Sequence, residues 1–183
     1  MESDFGQLSG KILVANPSLM DPNFHRTVIH LSLDAEDDGT IGIILNRPLG
    51  QKLGSLNPKF AKSAIADLPL YFGGPVQADE MLIAAWQWDP ELSIGQFHFG
   101  INIDAAEKLM SLPFSIVRGY MGYSGWSQGQ LNDELKEGAW LVADPSPDIL
   151  GVENPLKQWR MLVKKVDPAL SFLADIPDDP SKN

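Results

Sequence analysis

The sequence predicts a single α+β domain with a mixed, mostly antiparallel sheet surrounded by helices. Short apolar runs are separated by Gly, Pro, Asn and Asp, a pattern typical of strands joined by tight turns. Helical patterns are mixed with these runs without a regular β-α-β alternation, which favours α+β over a parallel sheet. We assign the domain to residues 1–176 and expect residues 177–183 to form a flexible, frayed tail.

Composition excludes several functional classes. The chain has 183 residues, of which 24 are acidic and 14 are basic, so its formal net charge is −10. This balance disfavours binding to nucleic acid and to anionic membranes, because both depend largely on Lys and Arg. The absence of cysteine excludes disulfides, thiolate nucleophiles and cysteine-ligated metals. No apolar run approaches the roughly 20 residues of a membrane span, and residues 1–6 do not resemble a secretory leader. We therefore expect a cytoplasmic protein.

Three strands are predicted in the first part of the chain. Lys11–Ala15 is apolar throughout, as in a strand buried on both faces. Thr27–Leu33 alternates between apolar and other residues, which indicates a strand. Asp37-Asp38-Gly39 has hairpin-turn chemistry and leads into the third strand, Thr40–Leu45.

The middle of the chain alternates between helical and extended patterns. Pro58–Ala66 has apolar residues at helical spacing, with Asn57 as the expected N-cap. A second helix is predicted over Asp104–Ser111, with Asp104 as its N-cap. The predicted strands are Leu70–Phe72, Glu80–Trp86 and Ser93–Phe99.

The last part predicts two strands and further helices. Phe114–Tyr120 is expected to be a strand that ends in a glycine-rich turn, and Ala139–Ala143 a second strand. Between them, Ser127 is expected to cap a helix over Gln128–Glu137 that ends at Gly138. Two further helix starts pair an N-cap with a following proline, at Asn154-Pro155 and Asp167-Pro168.

Arginine placement is the feature that most suggests a binding site. The chain has four arginines, and three of them, Arg26, Arg47 and Arg118, lie at turn-rich junctions. A guanidinium binds carboxylate or phosphate in a planar fork, so converging arginines would form a local anion site. The alternative is that each arginine binds a loop carbonyl. The predicted ligand-binding residues are Asn46, Arg47, Gly73, Gly74, Arg118, Tyr120, Trp126 and Gln130.

The residues offer little support for catalysis. Gly125–Gly129 matches the G-x-S-x-G pattern of a serine nucleophile, but Ser127 is explained more simply as a helix cap. His25 and His30 lack the spacing of metal ligands, and we expect His30 to be partly buried with its hydrogen bonds satisfied. Glu134 is expected to lie on a solvated helix face. We therefore predict no catalytic residue, no metal and no cofactor.

Several motifs, in order, resemble the bacterial YqgE/AlgH family over nearly the whole chain. They are residues 8–17, 20–24, 42–48, 72–76 and 119–131, followed by Glu134-Leu135, Gly138–Trp140 and Trp159-Arg160. The resemblance implies an α+β fold whose sheet curls into a small barrel. It supplies no reaction, because the family is mostly uncharacterised, although a role in transcriptional regulation is attached to some members. Asn132 stands where the family commonly has an acid, and if that acid has a chemical role in the family, its absence argues further against an enzyme.

Taken together, these features favour a non-enzymatic regulatory or binding module. Its ligand would be a small anion or a protein partner, and any role in transcription would be indirect. A small serine hydrolase using Ser127 is one alternative, and a direct DNA-binding regulator is another, which the acidic charge disfavours. The sequence leaves the ligand and the oligomeric state open.

Overall fold

Nine strands form the framework of the part of the chain that the structure describes. The computed structural model describes residues 8–32, 39–151 and 154–177. The strands are β1 (Ile12–Ala15), β2 (Val28–Leu31), β3 (Thr40–Ile44), β4 (Pro48–Lys52), β5 (Pro69–Phe72), β6 (Val76–Asp89), β7 (Ile94–His98), β8 (Ser115–Trp126) and β9 (Trp140–Ala143). All described pairs are antiparallel except β5 with β8. The predicted α+β class with a mixed, mostly antiparallel sheet is confirmed.

The helices are short. Within the described residues they are α1 (Leu53–Leu56), α2 (Ile103–Met110), α3 (Gln130–Lys136), α4 (Pro155–Val166) and α5 (Ser171–Asp175). Single 3₁₀ turns occur at Pro58–Phe60, Pro147–Ile149 and Pro168–Leu170. The helix predicted over Pro58–Ala66 is wrong beyond its first turn, although Asn57 does cap that turn by accepting a hydrogen bond from the Lys59 amide at 3.0 Å. None of the described helices is long and apolar enough to cross a membrane.

Strand β8 decides the shape of the sheet. It pairs with β6 over most of its length and with β5 at residues 119–121, and its last three residues pair with β3. The order across the sheet is β4-β5-β8-β3-β2-β1-β9, with β6 and then β7 branching from β8. Because β8 exchanges one set of neighbours for another along its length, the described strands form two wings joined at this strand. The sheet is not closed into a barrel, contrary to the expectation from the family resemblance.

The glycine-rich segment after Tyr120 is strand rather than turn. Its residues continue β8 to Trp126 because glycines let the backbone kink and approach β5 and β6 closely while it stays paired. Gly122, with a φ of 67°, has its Cα hydrogen directed at the Gly74 carbonyl, where a Cβ would lie only 2.4 Å from the oxygen. The expected turn is therefore wrong.

The core lies on both faces of β1. Ile12 and Val14 pack on the face covered by α4, whereas Leu13 and Ala15 pack on the face covered by α3. All four of these side chains are fully buried, as the uniformly apolar sequence predicts. The other wing has its own cluster, which joins α1 to α2 through residues such as Leu53 and Ala106.

Capping residues follow the sequence in part. Asn154 caps α4 as predicted, and its Oδ1 accepts a hydrogen bond from the Lys157 amide at 2.9 Å. Gly138, with a φ of 75°, terminates α3 as predicted. Two caps differ from the prediction. The N-cap of α2 is Asn102 rather than Asp104. The residue at the N-cap position of α3 is Gly129 rather than Ser127, so no side chain caps this helix.

A few predictions fall outside the described residues. One is the prediction that residues 1–6 do not form a secretory leader. The others are the last residue, Leu33, of a predicted strand, the turn at Asp37-Asp38, and the part of the flexible tail at residues 178–183.

Candidate functional site

Arg118 is a core residue that links distant backbone segments through hydrogen bonds. Its side chain is 9% exposed, and its guanidinium donates to the carbonyls of Leu45 at 3.2 Å and Leu150 at 2.8 Å. The guanidinium carbon lies 4.3 Å from the centre of the Tyr71 ring, a cation–π distance. Arg118 therefore joins the end of β3 to the segment before α4, and its planar fork is directed at carbonyls.

Arg26 and Arg47 line one pocket of about 550 Å³, which we name the basic pocket. The Nη2 atom of Arg26 donates to the Ile176 carbonyl at 2.6 Å, and its guanidinium lies 5.2 Å from the Trp159 ring. The Nη2 atom of Arg47 donates to the His25 carbonyl at 2.5 Å. These bonds hold both guanidinium groups at the pocket wall. Other wall residues are Asn23, His25, Asn46 and Pro155.

Asn46 fixes the geometry of this pocket. It is 3% exposed, and its Oδ1 accepts a hydrogen bond from the Val28 amide at 2.9 Å. Its Nδ2 donates to the carbonyls of Arg26 at 3.0 Å and Pro155 at 3.2 Å. The side chain thus links the start of β2 to the first turn of α4. Because Arg26 has a φ of 56°, in the left-handed region, the bond to its carbonyl helps to hold a strained backbone in place.

Arg160 lies apart from the basic pocket. Its Nε donates to the Ala174 carbonyl at 2.9 Å and lies 3.9 Å from an oxygen of Asp175. Each of the four arginines therefore donates to a backbone carbonyl from a distant part of the chain. The structure brings two of them to one pocket and does not gather Arg118 with Arg47.

Gly73 and Gly74 serve close packing of the backbone. A Cβ on Gly73 would lie 2.2 Å from the Gly122 carbonyl oxygen, and one on Gly74 would lie 2.2 Å from the Tyr123 carbonyl. The Gly73 carbonyl accepts hydrogen bonds from the Ile44 amide at 2.9 Å and the Ser124 hydroxyl at 3.1 Å. Both polar groups of Gly73 are paired within the sheet, since its amide donates to Met121.

Tyr120 belongs to the core. Its side chain is 2% exposed, and its ring lies 5.8 Å from that of Tyr71. Burial raises the pKa of the Tyr120 phenol, and nearby Arg118 opposes this effect. The phenol is therefore neutral at physiological pH.

Trp126 and Gln130 both donate hydrogen bonds to the carboxylate of Glu134, which the sequence did not indicate as a site residue. Glu134 Oε2 accepts hydrogen bonds from the indole of Trp126 at 2.9 Å and from that of Trp140 at 2.7 Å. Its Oε1 accepts one from the Gln130 amide at 2.9 Å. Glu134 is partly buried, so the prediction that it lies on a solvated face is wrong. The four-residue spacing of Gln130 and Glu134 on one helix was the available signal. We name these four residues the indole cluster.

Ser127 has no base hydrogen-bonded to it within the ranges that the structure describes. Its hydroxyl is exposed and donates to Gln130 Oε1 at 3.1 Å, whereas His25 binds the Leu19 carbonyl through Nδ1 at 2.8 Å. No histidine of the described segments is hydrogen-bonded to Ser127. In the same segments, no group of three His, Cys, Asp or Glu side chains is placed to hold a metal.

His30 and Trp86 were also missed as site residues. His30 is 2% exposed, and its Nδ1 has no hydrogen-bond partner among the described residues, so the prediction of a partly buried, satisfied histidine is wrong. Burial lowers the pKa of His30 from 6.5 to about 3. The signal in the sequence was its place on one face of β2 beside buried Val28.

Comparison with known proteins gives a consistent family. The AlgH-like family model (DUF179) matches residues 12–171. A UPF0301 protein of Streptomyces coelicolor is 34% identical to this chain, covering 99% of it and 98% of the relative. A UPF0301 protein of Mycobacterium tuberculosis is 33% identical, covering 96% of this chain and 90% of the relative.

Two solved structures are similar over almost the whole chain. Protein DIP2367 from Corynebacterium diphtheriae has a TM-score of 0.73 at 21% identity, covering 96% of this chain and 100% of that chain, which supports the fold. The solution structure of the AlgH protein from Pseudomonas aeruginosa has a TM-score of 0.62 at 27% identity, covering 98% and 99%. Since the family model and relatives above 30% identity both span nearly all of it, the chain belongs to the AlgH-like (UPF0301) family of bacterial proteins.

Proposed function

We propose that this protein is a non-enzymatic binding module of the cytoplasm whose basic pocket takes a small ligand with an anionic group. The observation that carries the proposal is the pairing of Arg26 with Arg47 on one pocket wall, in a chain whose net charge is −10. In such a chain, two guanidinium groups facing one cavity create a local positive potential that favours a carboxylate or phosphate.

The geometry of the two arginines supports this proposal. A guanidinium is planar and positively charged, and its N–H donors form a fork that matches the oxygens of a carboxylate or phosphate. The bonds to Ile176 and His25 fix the orientation of each group, which reduces the entropy lost when a ligand binds. The volume of about 550 Å³ lies within the range of small-molecule pockets.

Binding is favoured over the alternatives that the sequence left open. Ser127 is hydrogen-bonded to Gln130 instead of a histidine, which argues against a serine hydrolase. The net charge of −10 opposes direct contact with DNA phosphates. Any part in transcriptional regulation would therefore be indirect, through the bound ligand or through a protein partner that recognises the bound state.

Thermal unfolding in the presence of anions tests the proposal. Inorganic phosphate or citrate at about 10 mM, with ionic strength balanced by sodium chloride, should raise the Tm of the wild type by about 3–5 °C for a millimolar Kd. Arg47→Gln keeps an N–H donor and removes the charge, so we expect it to abolish the rise.

Arg160→Gln is the matched control. Arg160 lies outside the basic pocket, so this variant should keep the full rise in Tm. The proposal is wrong if neither anion raises the Tm of the wild type, or if Arg47→Gln responds as strongly as Arg160→Gln does.

A further inference from the structure

A second pocket, of about 420 Å³, has walls made of aromatic rings, and we name it the aromatic pocket. His30 of β2, Trp86 of β6 and Phe97 of β7 line it together with Phe99. The ring centres of His30 and Phe97 lie 4.0 Å apart, and those of His30 and Trp86 lie 4.9 Å apart at 90°. Rings held at such distances form a rigid wall that matches a flat apolar ligand.

Two polar atoms of this wall lack partners within the described part of the chain. They are His30 Nδ1 and Trp86 Nε1, on side chains that are 2% and 4% exposed. An indole N–H can only donate, whereas a neutral imidazole nitrogen donates or accepts according to its tautomer. Leaving such groups unpaired is unfavourable, so most buried ones in proteins have a partner. Both atoms are themselves buried in the ligand-free protein, so two of them beside one pocket point to a ligand that supplies the missing hydrogen bonds once a small turn of the rings exposes them.

The described lining of the pocket carries no formal charge. None of the lining residues in the described ranges is Asp, Glu, Lys or Arg. Burial lowers the pKa of His30 to about 3, so the imidazole is neutral at physiological pH. A charged ligand would lose its hydration here without gaining a counter-charge, whereas an uncharged ligand would not.

We propose that the aromatic pocket binds a small, uncharged, planar ligand, aromatic or heteroaromatic, that accepts a hydrogen bond from Trp86 Nε1 and forms a second one with His30 Nδ1. The volume of about 420 Å³ lies within the range of small-molecule pockets. This site lies on other strands than the basic pocket and shares no lining residue with it. The two proposals therefore stand or fall separately.

Three related amides and acids test the chemistry of the site. Naphthalene-2-carboxamide is planar and uncharged, 2-naphthoate has the same shape with a negative charge, and decahydronaphthalene-2-carboxamide has the same amide on a saturated ring. Each is titrated into ¹⁵N-labelled protein while the indole N–H resonances are followed by NMR. The Trp86 resonance is assigned as the one that Trp86→Phe lacks.

We expect saturable binding of the aromatic amide that shifts the Trp86 indole resonance, and binding at least about 10-fold weaker for each of the other two compounds. Trp86→Phe removes the donor but keeps a ring, so it should weaken binding about fivefold, the factor of one hydrogen bond. Trp88→Phe is the matched control on the same strand, outside the pocket lining, and should bind as the wild type does.

Each part of the proposal has a result that overturns it. If the Trp86 resonance of the wild type does not move up to the solubility of the amide, the pocket does not bind this class. If the naphthoate binds as tightly as the aromatic amide, the claim that the ligand is uncharged is wrong. If the saturated amide binds as tightly as the aromatic amide, the claim that the ligand is planar is wrong. If Trp86→Phe and Trp88→Phe bind equally well, the hydrogen bond to Nε1 is wrong. If Trp86→Phe fails to fold, the Trp86 indole resonance is assigned instead by linking it to the backbone resonances of the wild type, so the wild-type readings still hold.

Discussion

Acid should destabilise this protein through His30, and His30→Phe should remove that sensitivity. The imidazole is 2% exposed and is packed against aromatic rings, with the centre of Phe97 at 4.0 Å and that of Trp86 at 4.9 Å. A phenyl ring keeps these contacts and removes the Nδ1 that lacks a partner among the described residues. We therefore expect His30→Phe to be at least as stable as the wild type at neutral pH.

The size of the effect follows from the pKa of His30 in the two states. The unfolded side chain titrates near its ordinary value of 6.5, and burial lowers the folded pKa to about 3. Between these values the unfolded chain binds more protons, so the free energy of unfolding falls as the pH falls. As far as His30 is concerned, the free energy of unfolding therefore has its full value above pH 6.5, and it decreases progressively as the pH drops towards 3. Between about pH 7 and pH 5 the loss from this one residue is about 2 kcal/mol.

Urea unfolding followed by circular dichroism, at about pH 7 and pH 5, measures this loss. Two carboxyls with lowered pKa, Asp67 and Asp144, titrate below their ordinary value of 3.8 and so fall outside this range. His98→Gln keeps His30 and should retain the pH dependence of the wild type. If His30→Phe loses as much stability between the two pH values as the wild type does, the buried neutral histidine is not the cause.

Two further substitutions test contacts on β8 and α3, again by urea unfolding. Glu134→Ala removes the carboxylate to which both indoles of the indole cluster donate, so it should lower the free energy of unfolding by about 2–4 kcal/mol. The control is Glu137→Ala at the exposed C-terminal end of the same helix, which should change the free energy of unfolding by less than about 0.5 kcal/mol. Gly73→Ala places a Cβ 2.2 Å from a backbone oxygen of Gly122 and should lower the free energy of unfolding by about 3 kcal/mol. Gly151→Ala brings its Cβ within 4 Å of no atom of the described residues beyond its chain neighbours, so it should be nearly neutral. Equal effects within either pair would contradict the packing described.

Local sequence patterns correctly predicted most of the strands and helices in which apolar residues recur at a regular spacing. Thr40–Leu45 was predicted as a strand, and its counterpart β3 spans Thr40–Ile44. Strand β4 gave no such signal, because all five of its residues are exposed and none alternates in polarity. The cap of α2 was misplaced by two residues, since both Asn102 and Asp104 have the chemistry of an N-cap.

The candidate site was predicted less well than the fold, because its arginines act over long separations. Arg118 donates to carbonyls 73 and 32 residues away in the chain, at Leu45 and Leu150. No local pattern specifies such partners. Arg47 was correctly placed near a turn beside buried Asn46, but its neighbour in the basic pocket is Arg26 from another loop.

The sequence by itself determined the α+β class, the burial of both faces of β1, the caps at Asn154 and Gly138, and the acidic charge. These properties follow from the order of apolar, polar and turn-forming residues over a few positions. The tertiary structure alone decided that β8 changes partners along its length, and which pockets enclose the arginines and His30. Those outcomes depend on the pairing of distant segments, and the free energy of that pairing comes from contacts that no short stretch of sequence contains.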